Sequence, residues 1–572
     1  MTTDERKTEA AETSAIQNKE NGENSEADKV GEIGQTKERR ASKRRRLLTA
    51  GVCAIGVLAV AAFFVGGATP EPPTEFVALD RAPTIFPDYR DVTIPPNVAP
   101  LNFDVQESAA RFVTCVFEEG GERPVATFSG KEIRFSQRKW RALLERNVGK
   151  ALRFELFAFD LVDRESGANG ESGEKSAINK GWAKFSEWTV RVAPNPIDPW
   201  VSYRLVFPGY EYYSDLALWT RSLESFEERP IIRARLVAER TCVNCHTFQA
   251  GQTDSFLFHL RFKKPGTVIV DRGVVKKVDL NAEGLDAGCA YAAWRPNSPH
   301  VAFSSNQTAQ IFHSRDKNRI NVLDSFSDLL LYDVEKNELT PILPSDDDYL
   351  PTYPTWSPDG KTLYYCCAKA PDFKTPRQPV AARKDEVPFV QDEFQYDIMK
   401  VDFDEKTGKF GAPELIFNAV AFDKSAAFPR VSPDGKSLMF TLARRGCFPI
   451  WFRDADLWTL DLATGKARAL DEVNSPTEPD SWHSWSSNGR WFVFSSRRDD
   501  GSHTRLYFAH ISENGEVSKP FMLPQRDPMK TLNATKSFNV PELTVEPVQI
   551  SERKLLRDAK DETPKKATLR LR

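Results

Sequence analysis

Charge of one sign is missing from this chain. Its 78 Lys and Arg against 81 Asp and Glu leave a formal charge of −3 over 572 residues, so no global basic field argues for nucleic acid. Methionine (5), histidine (7) and cysteine (8) are scarce. The cysteines are scattered, with Cys53 in an apolar run, Cys366 next to Cys367, and Cys115, Cys289 and Cys447 far apart. No disulfide framework follows from such a set. No G-x-S-x-G occurs, which excludes the serine-hydrolase domain that accompanies some β-rich domains.

Aromatic residues make up 11%, including 38 Phe and 12 Trp, alongside 38 Pro. That balance reads as strands and turns, and the fold class expected is mainly β. The length is too great for one core and implies two or three folded domains.

Residues 1–46 carry 11 Lys/Arg and 10 Asp/Glu with almost no large apolar side chains, the composition of a disordered tail. Arg44, Arg45 and Arg46 precede an uncharged run from Leu47 to Ala68. Twenty-two helical residues span about 33 Å, enough for a bilayer core. The basic flank keeps the N-terminus in the cytoplasm and sends the rest across. The expected location is therefore the inner membrane, single-pass, with the bulk of the chain periplasmic. A cleaved signal peptide ending at Gly66-x-Ala68 is the competing reading. Prolines between residues 69 and 110 then suggest a semi-rigid spacer.

From 111 to 239, short β-rich runs recur at Arg111–Phe117, Val125–Phe128, Leu152–Phe159, Trp188–Val192 and Val201–Phe207. Turn residues separate them, and one helix is expected over Ser136–Glu145, where Trp140, Leu143 and Leu144 share a face. The expectation is a small β-sandwich-like domain.

Between 267 and 541 a repeat is visible. Trp294-Arg295-Pro296-Asn297, Trp356-Ser357-Pro358-Asp359-Gly360, Val431-Ser432-Pro433-Asp434-Gly435 and Trp485-Ser486-Ser487-Asn488-Gly489 each precede a strand. Asp-Gly and Asn-Gly supply the positive φ that tight hairpins need. A second strand class follows at Asp328–Val334, Asp397–Phe403, Asp456–Leu462 and Arg505–Ile511. Two strand types alternating at such periods suggest propeller blades. The phrase W-S-P-D-G-K at Trp356–Lys361 resembles the TolB-like, WD40-like propeller family. That resemblance implies a propeller, usually of six blades, and leaves function open. The membrane anchor and N-terminal β region do not match the family's role in the Tol envelope system. Residues 542–572 read as a charged, frayed tail.

Residues Cys242-Val243-Asn244-Cys245-His246 spell C-x-x-C-H. With so few Cys and His, random placement would produce the pattern about once in a thousand such chains. It resembles the haem-attachment pentapeptide of c-type cytochromes, in which two thiols bind the porphyrin and the histidine becomes an axial iron ligand. The resemblance implies covalent haem c on Cys242 and Cys245, with His246 as ligand to the metal. His259 is the nearest candidate for a sixth ligand, and His313 and Met529 are more distant ones. Only about 25 residues separate the motif from the expected first propeller strand, too few for a cytochrome c domain of its own. Residues 240–266 are thus expected as a haem segment roofed by its neighbours, with Phe248, Phe256 and Phe258 able to pack on the ring.

Other readings of the same residues stay open. A zinc site lacks a fourth ligand. A redox pair lacks a thioredoxin-like setting, and a structural disulfide is also possible. Propeller glycosidases use carboxylate pairs, for which Asp346–Asp348, Asp392, Glu393, Glu478 and Asp480 are candidates. His483, between Trp482 and Trp485, offers a polar rim for a ligand or an ordinary blade strand. The function expected is a membrane-anchored mono-haem c-type protein whose propeller docks a redox partner protein. The alternative is a non-catalytic envelope scaffold or sensor that binds protein or glycan, with structural cysteines.

Overall fold

The computed structural model describes residues 71–162, 180–210, 212–314, 318–374 and 385–571. The expected tail (1–46) and membrane helix (47–68) lie outside the described residues. Among the described residues no helix is long and apolar enough to cross a membrane.

Residues 71–197 form two packed sheets. One has seven strands built around the long strand Ala151–Leu161, and the other has three, Ile85–Phe86, Phe103–Val105 and Glu132–Ile133. Phe103 bridges them, its ring 6.4 Å from Phe154 and 6.2 Å from Trp188. The helix Gln137–Arg146 buries Trp140, Leu143 and Leu144 as their shared face requires. The proline-rich stretch is therefore not a spacer. Its apolar residues alternate, so Val92, Ile94, Phe103 and Val105 enter the core while prolines occupy the turns between strands.

Six further sheets of four or five strands follow, each beginning with an inner strand. Blades 2 to 6 start at Thr241–Gln249, Cys289–Trp294, Tyr349–Trp356, Ser425–Val431 and Asp480–Trp485. Blade 1 has Trp200–Val206, Ala217–Ser222 and Glu228–Arg233, and takes its inner strand, Ser537–Thr544, from near the other end of the chain. Each inner strand touches the next, and the last touches the first, which closes a six-bladed propeller.

The boundaries expected from local sequence accordingly shift. The sandwich ends near 197, not 239, and the propeller begins at 200, not 267. Residues 240–266 are no inter-domain segment; they are the first two strands of blade 2. Long-range pairing of 200–206 with 537–544 is invisible to any local pattern. Nor does the chain fray after 541. Helix Glu552–Ala559 buries Leu555 and Ala559, and Lys565–Lys566 and Thr568–Leu569 add parallel edge strands to blades 2 and 3. Glu552 accepts from Arg233 Nε at 2.9 Å, and Lys277 Nζ donates to the Ala559 carbonyl at 3.1 Å, holding that helix on blades 1 and 2.

The repeated turns behave as their sequences dictate. Gly360, Gly435 and Gly489 have φ of 67°, 72° and 65°. Asp359 Oδ1 accepts from Ser357 Oγ (2.6 Å) and Lys361 N (3.1 Å), and Asp434 repeats both bonds in blade 5.

Candidate functional site

One feature recurs in all six inner strands. Each contains a register break with a single non-glycine residue in the left-handed region: Cys245 (51°), Tyr291 (47°), Tyr353 (52°), Phe428 (54°), Trp482 (52°) and Val540 (51°). Positive φ is costly for such side chains, of order 1–3 kcal/mol each where it is strained. All six line one cavity of about 740 Å³ at the propeller's centre, a size suited to a cofactor or small ligand.

The second cysteine of C-x-x-C-H is one of these six residues. In an unbroken strand Cys242 and Cys245, three apart, would face opposite sides of the sheet. The bulge at Cys245 resets that alternation, and Cys242, Asn244, Cys245 and His246 all reach the cavity. His259 and Arg261 reach it too, from the neighbouring strand Gln252–Phe262, where they pair with Asn244 and Cys242. Cys242, Cys245, His246 and His259 are thus brought to one cavity.

His246 is 4% exposed, and neither ring nitrogen has a well-formed hydrogen bond. The Val540 backbone is a polar neighbour, and Glu542 Oε1 lies 3.9 Å from Nε2. Burial, with help from the Arg204 guanidinium, pulls the imidazole pKa down to about 3, so it is neutral. Burial pushes Glu542 up to about 7, against the bond it accepts from Phe248 N at 3.0 Å. His259 Nδ1 is 2.9 Å from Thr267 Oγ1. In the tautomer that donates to Thr267, Nε2, which has no other partner, keeps its lone pair. Burial likewise holds His259 down to about 3. Both cysteines are free thiols; burial raises the pKa of Cys242, while Arg261 Nη2 approaches Cys245 Sγ at 3.9 Å.

These residues fit a covalently held haem. Two unpaired thiols and a neutral imidazole without a firm partner share one cavity wall, and Arg204, Arg261 and Arg430 supply charge suited to propionates. They do not fit zinc: among the described residues no three His, Cys, Asp or Glu form a group able to hold a metal ion. The disulfide reading also departs from the structure, where neither cysteine is bonded.

Other expected residues lie elsewhere. Phe248, Phe256 and Phe258 stack on one another in the core of blade 2, away from the cavity. His313 and Met529 are not among its walls; Met529 Sδ instead accepts from Gln106 at 3.7 Å. The glycosidase carboxylates are not paired for catalysis. Asp480 is bound to Arg498 at 2.8 Å and Glu478 to Arg453 at 2.5 Å, while Asp346, Asp347, Asp348, Asp392 and Glu393 are solvent-facing. His483 is buried, with Nε2 3.0 Å from the Met439 carbonyl, so it is an ordinary strand residue.

Sequence reasoning missed Arg204, Arg430 and Glu542, along with the aromatic arc Tyr291, Tyr353, Phe428 and Trp482. A signal existed for the arc. Trp294, Trp356 and Trp485 each stand three residues after a bulge residue, and Phe248 stands three after Cys245.

No family model matches the chain, and no curated protein matches it. Among solved structures it is similar to TolB from Acinetobacter baumannii, at 13% identity over 68% of this chain and 86% of that one, with a TM-score of 0.34. It is also similar to Kuenenia stuttgartiensis hydrazine synthase, at 10% identity over 62% of this chain and 48% of that one, with a TM-score of 0.37. An oligogalacturonate lyase from Vibrio parahaemolyticus shares 12% identity over 54% of this chain and 72% of that one, with a TM-score of 0.30. The chain spans about half the length of the hydrazine synthase chain it matches. Likenesses this distant assign no activity, and what the chain is rests on its own six sheets: a mainly β protein with a six-bladed propeller and a central cavity.

Proposed function

We propose that the chain is a mono-haem c-type protein whose cofactor occupies the propeller's central cavity, working as an electron carrier anchored to the inner membrane. The observation that carries this reading is the convergence of Cys242, Cys245, His246 and His259 on one cavity. Each thiol would add its S–H across a porphyrin vinyl group, leaving two thioethers and no by-product. His246 would ligate the iron, and His259 Nε2 is the candidate for a further ligand. When bound, the group supplies one-electron Fe(III)/Fe(II) exchange.

The chain's own contribution is the pocket. Burial keeps both imidazoles deprotonated and therefore ready to ligate. The burial of both imidazoles and the charge of the arginine-bearing walls would tune a haem potential together with the iron ligands. A redox partner protein would dock at the cavity mouth, where Arg261 and Phe262 are exposed.

Expression of the full-length chain with a cytochrome c maturation system tests this. The expected product keeps a haem absorption band after denaturation, and the Cys242→Ser/Cys245→Ser double variant loses the covalent link. A folded wild-type product without haem would overturn the reading. It would leave the alternative of an envelope scaffold whose cavity binds a ligand, with Cys242 and Cys245 serving only the fold.

A further inference from the structure

The cavity's charge is lopsided for a chain that is nearly neutral. Arg204, Arg261 and Arg430 line it, against Asp279 as the one carboxylate among its walls. Arg204 is engaged with Asn244 Oδ1. Arg261 and Arg430 differ, for neither forms an ion pair with a described residue. Arg261 has the Cys245 sulfur at 3.9 Å, and Arg430 Nη1 donates to the carbonyl of its neighbour Pro429 at 3.0 Å. Glu542 is the carboxylate that acts on Arg430, and it does so only through its longer-range field, without an ion pair. A guanidinium drawn into a low-dielectric wall without an anion is costly, and a ligand anion is the partner that removes the cost.

The position of Arg430 adds to this. It lies two residues beyond Phe428 on the inner strand of blade 5. Inner strands touch in the order of blades 1 to 6 and close on blade 1, so blade 5 faces blade 2, the blade of C-x-x-C-H, across the channel. Beside Arg430 runs a continuous aromatic arc. Ring centroids are 4.4 Å apart for Tyr291 and Tyr353, 4.3 Å for Tyr353 and Phe428, and 4.1 Å for Phe428 and Trp482. Tyr353, Phe428 and Trp482 are almost fully buried yet supply cavity wall, whereas Tyr291 is half-exposed.

We propose that the wall formed by blades 3 to 6 is a binding subsite for a small aromatic carboxylate, separate from the cysteine-bearing wall. Arg430 takes the carboxylate and the aromatic arc takes the face or edge of the ring, while Arg261, on blade 2 beside Cys245, adds only its field across the channel. Arginine matches a carboxylate's two oxygens with its planar fork, and aromatic edges and faces favour a flat ring over an aliphatic chain of equal size. The subsite rests on Arg430 and the arc and does not require haem.

Calorimetric titration of the full-length chain with benzoate, acetate and benzyl alcohol tests it. Benzoate is expected to bind once per chain. Acetate, which lacks the ring, and benzyl alcohol, which lacks the charge, should each bind at least tenfold more weakly. Arg430→Gln should weaken benzoate at least tenfold, and Arg261→Gln by less. Should Arg430→Gln fail to fold, Arg430→Lys, which keeps the charge and loses the planar fork, should weaken benzoate likewise and decides in its place. No benzoate binding, equal binding of benzyl alcohol, or unchanged affinity in the folded Arg430 variant would overturn the proposal. The titration is run on protein with and without covalent haem. Binding to both supports a separate subsite. Binding only to the haem-free protein overturns it and makes the arginines the propionate partners. Absence of haem under all conditions bears on the previous reading alone.

Discussion

Blades 2 and 6 place a histidine at the same point of the same strand, and use it differently. His246 follows the left-handed residue Cys245, and His483 follows the left-handed residue Trp482. Both are buried, and burial lowers both to a pKa of about 3. His483 Nε2 meets the Met439 carbonyl of blade 5 at 3.0 Å, which makes its ring part of the packing between two blades. His246 has no comparable bond; its nearest carboxylate contact is Glu542 at 3.9 Å. The backbone site is shared, so its geometry is not what marks a ligand. The difference is how firmly the neighbouring blade holds the ring: by a well-formed bond to Met439 in blade 6, and only by the looser approach of the Val540 backbone in blade 2.

The largest effects should come from breaking the packed side of the ring. Phe428→Ala removes a side chain 2% exposed that packs on Tyr353, Trp482 and Phe448. It should cost about 3–5 kcal/mol in urea or thermal unfolding. Next comes the pair of histidines. His483→Ala loses a buried bond and leaves the Met439 carbonyl unpaired, at a cost of about 2–3 kcal/mol. His246→Ala in haem-free protein loses only packing and should cost about 1 kcal/mol. Equal losses would erase the distinction between a structural and an available imidazole.

How far the sequence revealed this architecture depended on how local the cause was. Blades 3 to 6 announce themselves because their turns are written in contiguous residues, as Trp356–Gly360 shows. Blade 1 does not, because its inner strand lies some 330 residues from its partner strand and the pairing leaves no local trace. Blade 2 was hidden by its own motif. C-x-x-C-H occupies the inner strand, and the turn after it is Ala250-Gly251 (φ 48° and 75°) rather than the repeated phrase. The cysteines and histidines of the site were legible as chemistry. Arg430 and Glu542 were not, since nothing near Pro429 or Pro541 signals that a charge there faces a cavity.

A pH dependence sharpens the comparison further. Both imidazoles have folded-state pKa values near 3 against 6.5 when unfolded. Between those values the unfolded chain binds protons that the folded chain refuses, so stability is fully present above about 6.5 and falls as pH drops toward 3. Each ring contributes a slope of at most about 1.4 kcal/mol per pH unit in that window. His483→Gln should flatten the profile whether or not haem is attached. His246→Gln should flatten it in the same direction in haem-free protein. Unfolding free energies at pH 4.5, 5.5 and 7 measure this, and an unchanged slope in either variant would show that its ring is not held neutral by the fold.

The smallest expected effect is at the open side of the ring. Tyr291 shares the left-handed position of Phe428 but is only half-buried and stands next to the cysteine wall, its hydroxyl pushed well up by burial first and then by the fields of Cys447, Asp324 and Cys245. Tyr291→Phe keeps the ring contact with Tyr353 and deletes only the hydroxyl, so it should change stability by less than about 1 kcal/mol. Tyr291→Gly is the more telling substitution. Glycine accepts a φ of 47° without strain, and the half-exposed ring leaves a smaller void than Phe428 would. The two terms oppose each other, so the net loss should stay below about 2 kcal/mol. A loss as large as that of Phe428→Ala would show that the open arc is packed as tightly as the closed one, and that the cavity beside Cys245 is narrower than the walls around it imply.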